Sequence, residues 1–354
     1  MRHSLLLVFV LALRVAAQPP SYPAPEQSDF TIHTFRFASG ETLENLRIHY
    51  RTVGKPTRDA SGHVTNAILI MHGTTGSSAN FFRPEFAGEL FGPGQPLDAA
   101  KFYLILPDDI GHGGSSKPSD GLHAKFPAYR YADMVEAEYQ LVTIGLKVDH
   151  LRLVMGTSMG GMHTWLWGST HPTMMDALLP LASLPAEISG RNRMWRTMIT
   201  DAIRSDPEWK NGDYTMQPRG LRQAASILYF MSSNPHQRFI ESPTGAAAEK
   251  ALTTYTDNAM KTMDANDVLY AVESSRDYNP KIQTIQAPLL AINFADDLIN
   301  PPDLGIFEQE IKRIPHAMAI TIPQSDQTRG HGTHTLAAVW KQHLVEFLKQ
   351  TQSK

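Results

Sequence analysis

Cysteine is the one residue type that this chain of 354 residues lacks altogether. Its absence excludes disulfide bridges, and it excludes any mechanism that depends on a thiolate nucleophile. The stability of the fold must therefore come from a packed core. The apolar fraction of 42% is ordinary for a soluble globular protein, so the chain has enough apolar residues for a sizeable core.

An excess of charge of one sign is also missing. The chain has 32 Lys and Arg against 35 Asp and Glu, a formal net charge of −3, and no run or stripe of basic residues. We therefore expect no nucleic-acid partner. The 15 histidines form no His-x-x-x-His pair and no set with carboxylates at metal-ligand spacing. We accordingly predict no metal ion and no cofactor.

Long apolar runs are rare, and the N-terminus carries the one that has a targeting pattern. The stretch "MRHSLLLVFVLALRVAAQPP" has a basic start, an apolar run from Leu5 to Leu13, and small residues, with Val15 and Ala17 placed as at a cleavage site. The pattern predicts a secretory signal peptide over residues 1–17; the alternative is an uncleaved, membrane-associated tail. The run is too short for a bilayer-spanning helix. We therefore expect a periplasmic or secreted protein with no stable membrane insertion after cleavage.

Four apolar runs end in loops rich in glycine or acidic residues, which is typical of buried strands. They are "NAILIMHGTTG", "KFYLILPDDIGHGGSS", "HLRLVMGTSMGG" and "APLLAINFADD". Helical patterns such as "YADMVEAEYQLVTIGLKV" lie between them. Strands that alternate with helices predict an α/β fold with a mostly parallel, doubly wound sheet.

The segment 183–284 breaks this alternation, because it has helical character and no buried-strand pattern. We interpret it as a helical lid inserted into the α/β core. The predicted organisation is then a signal peptide (1–17), a Pro-rich leader (18–29), a first core part (30–182), the lid (183–284) and a second core part (285–354).

The lid segment is rich in methionine and contains the run "DPEWKNGDY", which we interpret as a structural turn. Its methionines are interpreted mainly as core residues, since Met fills irregular gaps and also suits an apolar acyl pocket. The residues concerned are Met194, Met198, Met216 and Met231.

The stretch "VMGTSMGG" places Ser158 in a Gly-x-Ser-x-Gly pattern, after a buried strand and before a helix. A serine on a sharp strand-to-helix turn has a strained backbone, and the flanking glycines let neighbouring chain approach closely. The hydroxyl then lies at the positive end of the helix. This context predicts a nucleophile; the alternative is a chance match in a glycine-rich turn.

A serine nucleophile needs a base, and the base needs a group that orients it. His331 in "TRGHGTH" and Asp297 in "ADDLINPP" follow Ser158 in the order Ser, Asp, His. The carboxyl ends of parallel strands meet at one edge of a sheet, so the three can converge. Their neighbours compete with them: Asp296, otherwise a solvated loop residue, and His334. The patterns Asp-x-Ile-x-Pro and Gly-His favour Asp297 and His331.

Two backbone N–H groups are placed to stabilise an oxyanion. Thr74 follows a strand in "MHGTTG", and Met159 comes directly after the serine. Such donors are commonly worth a few kcal/mol each in the transition state. His72 and His112 also lie beside glycines, and we interpret them as loop-packing residues near the mouth of the site.

The chain resembles the homoserine O-acetyltransferase branch of the α/β-hydrolase superfamily from Phe30 to the C-terminal helix. The motifs that carry the resemblance are "HGTTG", "FGPGQPLDAAKFYLILPDDIGHGGSSKP", "GTSMGGMHTWLW", "RTMITDAIRSDPEWKNGDY", "ADDLINPP" and "RGHGTH". The resemblance implies Ser158 as nucleophile, Asp297 as orienting group and His331 as base, with Thr74 and Met159 as oxyanion donors. Dimers through the lid are common in the family, so it also implies that a homodimer is one state open to this chain.

Two departures from the branch bear on the substrate. Gly332 stands where the family usually has aspartate after its catalytic histidine, and Met231 in "LYFMS" stands where it has the arginine of a Thr-Tyr-Arg-Ser run. A cation suits a substrate carboxylate, and an acid suits a substrate amine. These changes and the export pattern favour a hydrolase for a small-molecule ester over an O-acyltransferase. A third hypothesis, a binding protein with a retired site, fits poorly with a complete triad.

Overall fold

The computed structural model describes residues 22–351, so the predicted signal peptide and the first four residues of the predicted leader, 18–21, lie outside the described residues. Within that range the core is an eight-stranded sheet in the order β1-β2-β4-β3-β5-β6-β7-β8. The strands are β1 (Glu26–Arg36), β2 (Thr42–Val53), β3 (Ala67–Met71), β4 (Tyr103–Pro107), β5 (Leu153–Thr157), β6 (Leu178–Leu181), β7 (Leu289–Phe294) and β8 (Ala317–Ile322).

Helices connect the strands and cover both faces of the sheet. They are α1 (Ala87–Leu90), α2 (Tyr131–Gln140), α3 (Met159–Thr170), α4 (Gly190–Arg204), α5 (Arg219–Ser232), α6 (Pro235–Glu241), α7 (Gly245–Thr262), α8 (Ala265–Glu273), α9 (Ile306–Ile311) and α10 (Ala337–Gln350). Among the described residues, no helix is both long enough and apolar enough to cross a membrane.

The strands from β4 through β3 to β8 are parallel, and the β1–β2 hairpin joins them antiparallel through β2. The predicted α/β fold with a mostly parallel sheet is therefore confirmed. The hairpin begins earlier than predicted, because β1 starts at Glu26, inside the segment that the sequence assigned to a leader. Its first residues are polar and exposed, and they are held by backbone pairing to β2, with Glu26 opposite Thr52. Because these residues are all polar, the sequence shows no alternation of apolar and polar residues that would predict a strand here.

Alternate residues of the central strands pack against different helical layers, as the two-residue period of a strand requires. Ile68 and Ile70 of β3 pack in a cluster with α1 and α10. Leu69 and Met71 pack in a second cluster with α2, α3 and α9. Each fully buried aliphatic side chain of this kind contributes about 1.5–3 kcal/mol relative to exposure. Burial on both faces explains why these strands are continuously apolar in the sequence.

The chain between β6 and β7 carries helices α4 to α8, and this stretch, Gly190–Glu273, is called the helical segment below. It has an apolar cluster of its own, which includes Trp195, Ile199, Leu221 and Val268. The boundaries predicted for a lid at residues 183 and 284 stay predictions.

Candidate active site

Ser158 occupies the turn between β5 and α3 with a backbone conformation of φ 56° and ψ −110°. A positive φ is uncommon outside glycine and marks local strain that the surroundings must hold in place. Three backbone hydrogen bonds do so here. The Ser158 N–H donates to the backbone carbonyl of Leu181 (2.9 Å). The Gly160 N–H donates to the backbone carbonyl of His72 (2.9 Å), and the Met162 N–H donates to the backbone carbonyl of Ser158 (3.0 Å).

The glycines around Ser158 are required by close backbone contacts. A Cβ added to Gly156 would lie 2.1 Å from the carbonyl oxygen of Gly160, and one added to Gly160 would lie 2.1 Å from that of Met71. A Cβ on Gly161 would lie 2.5 Å from the carbonyl oxygen of Leu181. The first turn of α3 therefore packs directly on the sheet, which fixes the direction of the serine side chain.

The side chains of Ser158, His331 and Asp297 are joined in one chain of contacts. His331 Nε2 lies 2.8 Å from Ser158 Oγ, and His331 Nδ1 lies 2.7 Å from Asp297 Oδ2. Asp297 follows β7, and His331 lies in the loop after β8, so both come from the carboxyl ends of parallel strands. The structure thus brings together the three residues that the sequence singled out. The arrangement allows His331 to take a proton from Ser158 while Asp297 holds the opposite ring nitrogen.

Asp297 is fully enclosed, and several donors stabilise its charge. Its Oδ1 accepts hydrogen bonds from the backbone N–H groups of Ile299 (2.7 Å) and Asn300 (3.2 Å). The Asn300 side chain donates to Asp297 Oδ2 (3.2 Å) and to the carbonyl of Ala182 (2.9 Å). Burial alone would raise the pKa of Asp297, but His331 and these backbone donors outweigh it and hold the pKa below its usual range. Asp297 is therefore ionised at neutral pH.

Asp296 has a different role from the one that the sequence suggested. It is only 8% exposed, so its interpretation as a solvated loop residue is wrong. Its Oδ2 accepts from the hydroxyl of Thr328 (2.8 Å), the N–H of Gly330 (3.0 Å) and the side chain of Asn234. These contacts hold the loop that leads into His331, which is why a polar loop residue is buried here.

His334, the competitor of His331, packs beside it, and the hydroxyl of Ser158 contacts the ring of His331 instead. The two rings are 5.3 Å apart, edge to face. Burial lowers the pKa of His334 to about 3, and the neighbouring His331 adds to this effect. His334 is therefore a neutral side chain in the wall of the site.

The loop of Thr74 approaches the nucleophile closely. A Cβ added to Gly73 would lie 3.3 Å from Ser158 Cβ, and the next residue but one, Thr75, has a positive φ of 61°. Among residues 22–351, neither the Thr74 N–H nor the Met159 N–H has a hydrogen-bond acceptor. Both predicted donors thus lie beside Ser158 with their N–H groups available.

His72 and His112 lie behind this loop. His72 Nε2 accepts from the backbone N–H of Asp109 (3.1 Å), which places the proton on Nδ1, and Nδ1–H donates to the carbonyl of Gly73 (2.8 Å). The two rings are 5.1 Å apart, and burial lowers the pKa of His112 to about 3. His72 therefore holds the loop of Thr74 in place.

A buried group of Asp109, Glu138 and His163 joins the loop after β4 to α2 and α3, with ligand-type atoms within 4.8 Å of one another. Glu138 accepts from Trp167 Nε1 (2.6 Å) and contacts His163 Nδ1 (3.0 Å). Burial and the nearby Glu138 raise the pKa of Asp109 well above its usual range. A metal ligand must be deprotonated, so the proton on Asp109 competes with any ion. No local sequence pattern indicates this group, because its members come from three separate elements.

Ser158, His331 and Thr74 open onto a cavity of about 260 Å³. The helical segment supplies a large part of its wall. These wall residues are Trp195, Arg196, Leu228, Met231, Ser232 and Tyr255. The site is therefore small, mostly apolar, and covered by helices that are separate from the sheet.

The methionines of the helical segment behave in two ways. Met231 is buried and lines the cavity, as a residue of an acyl pocket would. Met194, Met198 and Met216 are exposed, so their interpretation as core residues is wrong. Whether a methionine of these helices is buried depends on how the helices pack against one another. The amino-acid composition of a helix does not reveal that packing.

A strained serine at a strand-to-helix turn, with a histidine and an aspartate from the ends of later strands, defines a class of α/β enzymes that act through an activated hydroxyl. The comparisons with known proteins agree. A family model described as alpha/beta hydrolase fold matches residues 66–327, and the chain belongs to the α/β-hydrolase family, in its homoserine O-acetyltransferase-like branch.

Relatives of the chain are enzymes of two kinds. It is 30% identical to a probable acyltransferase from Methanothermobacter thermautotrophicus, over 91% of this chain and 97% of the relative. It is 30% identical to the homoserine O-acetyltransferase of Trichormus variabilis, over 76% and 79% of the two chains. The crystal structure of esterase E22 superimposes with a TM-score of 0.80 at 20% identity, over 92% of this chain and 100% of that one. The chain is therefore an enzyme of a family of esterases and acyltransferases.

Proposed function

We propose that the protein hydrolyses carboxylic esters through an acyl-enzyme formed on Ser158. The observation that carries the proposal is the position of His331, which contacts Ser158 Oγ at 2.8 Å and Asp297 Oδ2 at 2.7 Å. The cavity in front of Ser158 supplies room for a small ester. The available N–H groups of Thr74 and Met159 supply donors for an oxyanion.

In the first half-reaction, Ser158 Oγ attacks the ester carbonyl while His331 Nε2 accepts the hydroxyl proton. The negative charge that develops on the carbonyl oxygen is stabilised by the N–H groups of Thr74 and Met159. His331 then gives its proton to the alcohol oxygen as the C–O bond breaks, and the alcohol leaves. The acyl group stays on Ser158.

In the second half-reaction, water takes the place of the alcohol. It attacks the acyl carbonyl while His331 accepts its proton, and the collapse of the intermediate returns that proton to Ser158 and releases the acid. Asp297 stays ionised throughout. Its charge stabilises the imidazolium, and its contact with Nδ1 keeps the tautomer that leaves Nε2 free to accept a proton.

An O-acyltransferase is the second candidate, because the same first half-reaction serves an alcohol acceptor in place of water. The relatives named acyltransferases favour it. Three features of the sequence favour hydrolysis: Gly332 and Met231 in place of the branch's polar residues, and the export pattern of residues 1–17, since acetyl-CoA is a cytoplasmic donor. The hydrolase is therefore our first choice.

Export and assembly are further parts of the proposal. We propose that residues 1–17 are removed on secretion to the periplasm or beyond, and that the mature protein can pair as a homodimer. Intact-mass measurement of protein recovered outside the cytoplasm should show a chain that begins at Gln18. Light scattering after gel filtration would give its oligomeric state.

Product analysis with short-chain p-nitrophenyl esters tests the reaction, with and without a small alcohol. Wild type, Ser158→Ala and the control Ser169→Ala are compared; Ser169 lies near the C-terminal end of α3, and its hydroxyl donates to the carbonyl of Leu166. We expect free acid from wild type and from the control, and none from Ser158→Ala. A new ester as the main product would establish the transferase instead. Equal rates for wild type and Ser158→Ala would overturn both.

A further inference from the structure

Arg196 places a buried cation in the wall of the proposed active site. It lies on α4, is 4% exposed, and lines the same cavity as Ser158. Burial of a charge is costly unless a partner compensates it. The partners of this guanidinium therefore bear directly on what the cavity accepts.

The partners of Arg196 are neutral. Its Nε donates to Asn192 Oδ1 (3.0 Å), its Nη1 donates to Ser275 Oγ (3.0 Å), and the group lies 4.7 Å from the ring centre of Trp195. Within residues 22–351, no carboxylate oxygen lies within 4.0 Å of its nitrogens, and the Tyr131 hydroxyl, which also lies beside the guanidinium, is a neutral group. Two other arginines of the helical segment differ, since Arg204 pairs with Glu273 and Arg222 with Asp257.

The rest of the cavity wall offers no opposite charge. Of its described residues, none is aspartate or glutamate, and the buried His334 is neutral. Arg196 is thus the permanent charge on the described wall. An anionic ligand would gain an ion pair there in a poorly solvated space, whereas an ammonium group would find no acidic partner.

We propose that Arg196 binds a carboxylate of the substrate, so that the preferred substrates are small esters with a carboxylate and no amine. Acylated hydroxy acids and monoesters of dicarboxylic acids belong to this class. The inference rests on the proposed ester hydrolysis and adds the substrate class to it. It differs from recognition of an amino acid such as homoserine, whose ammonium group would also have to enter this cavity.

A role in structure alone is the competing explanation. Through Ser275, Arg196 ties α4 to the chain after α8, and its loss could loosen the whole cavity wall. Such loosening would affect charged and neutral esters alike. A comparison of esters that differ only in charge therefore separates the two explanations.

Three acetyl esters of equal length make this comparison: 4-acetoxybutanoate, its neutral carboxamide, and O-acetylhomoserine, which adds the amine. For wild type we expect kcat/KM for the carboxylate to exceed that for each of the others about tenfold or more, as for a hydrogen bond to a charged group. Arg196→Gln should raise KM for the carboxylate and leave the carboxamide within about threefold. Arg196→Lys should recover part of the preference.

Arg193→Gln is the matched control. Arg193 lies on the same helix and donates to the backbone carbonyls of Ser275 and Arg276 (3.3 and 2.8 Å), but it does not line the cavity. It should keep the wild-type ratio between the esters. Equal rates for carboxylate and carboxamide in wild type would overturn the inference, and so would an Arg196→Gln variant that loses both equally.

Binding without turnover gives a second measure. The amide analogue 4-acetamidobutanoate is titrated calorimetrically into Ser158→Ala and into Ser158→Ala with Arg196→Gln, and we expect the second Kd to be about tenfold weaker or more. An unchanged Kd would overturn the carboxylate site. If wild type cleaves p-nitrophenyl acetate but none of the three acetyl esters, this inference fails and the proposed function stands. If Ser158→Ala matches wild type on every ester, the proposed function itself fails.

Discussion

Asp296 and Asp297 are consecutive residues, and their carboxylates hold two different parts of the loop that carries His331. Asp297 contacts the ring of His331 through Oδ2 at 2.7 Å, whereas Asp296 accepts from the backbone N–H of Gly330 at 3.0 Å. Asp297 therefore fixes the orientation of the His331 ring, and Asp296 fixes the position of the backbone next to it. This division leads to different expectations for two otherwise identical substitutions.

Asp297→Asn should abolish most of the activity while the protein stays folded. The amide favours the wrong tautomer of His331 and cannot stabilise the imidazolium, so we expect kcat to fall about 10³–10⁴-fold with little change in KM. Steady-state kinetics with a p-nitrophenyl ester measures this. A fall smaller than tenfold would remove Asp297 from the proposed mechanism.

Asp296→Asn should act mainly on stability. It weakens the buried hydrogen bonds to Thr328, Gly330 and Asn234, so we expect a loss of about 1–3 kcal/mol in the free energy of unfolding. The fall in kcat should be far smaller than for Asp297→Asn. Urea unfolding beside the same kinetic assay checks both; a reversed order of the two kcat values would assign the orienting role to Asp296.

Gly160→Ala should destabilise the protein and reduce activity together. Its Cβ would lie 2.1 Å from the carbonyl oxygen of Met71, so either α3 or β3 must shift, and a cost of several kcal/mol follows. Gly245→Ala is the control, since a Cβ there meets nothing within 4 Å at the start of α7. Thermal unfolding should show a large fall in Tm for the first and little change, or a rise, for the second.

The buried pair of Asp109 and Glu138 should make stability depend on pH. Burial raises the pKa of Glu138 to about 7, above the usual value of about 4.3. The unfolded chain then releases this proton at a lower pH than the folded protein does. The contribution is therefore fully present below about pH 4.3 and is lost as the pH rises towards about 7, by up to about 4 kcal/mol.

Glu138→Gln should make this decline shallower, because Asp109 alone would then keep a proton that the unfolded chain has lost. Urea unfolding at a series of pH values from 4.5 to about 7.5 measures the slope. Glu136→Gln is the control on the same helix, where Glu136 accepts from the side chain of Gln140. Parallel curves for wild type and Glu138→Gln would contradict the assignment of the raised pKa.

The sequence allowed the fold and the Ser158, Asp297 and His331 constellation to be predicted, because their signals are local. Buried strands are apolar without interruption, and the glycines around Ser158 report contacts of a single turn. The three residues then converge because the carboxyl ends of parallel strands lie at the same edge of the sheet.

Other features depend on how distant elements dock, and no local pattern reveals them. Arg196 faces the cavity because of the way in which α4 packs against α5 and α8. Asp296 is buried because the loop of Gly330 closes over it, although its sequence context is that of an exposed turn. The early start of β1 rests on backbone pairing between polar residues.

The separate apolar cluster of the helical segment has a consequence for evolution. The residues proposed for bond chemistry belong to loops of the sheet, whereas Arg196 and Met231, which line the cavity, belong to helices with a core of their own. Substitutions in those helices can therefore change which ester is accepted while the nucleophile and its base keep their geometry. A family built in this way can diversify its substrates by exchanging one surface of the cavity, with the reaction inherited unchanged.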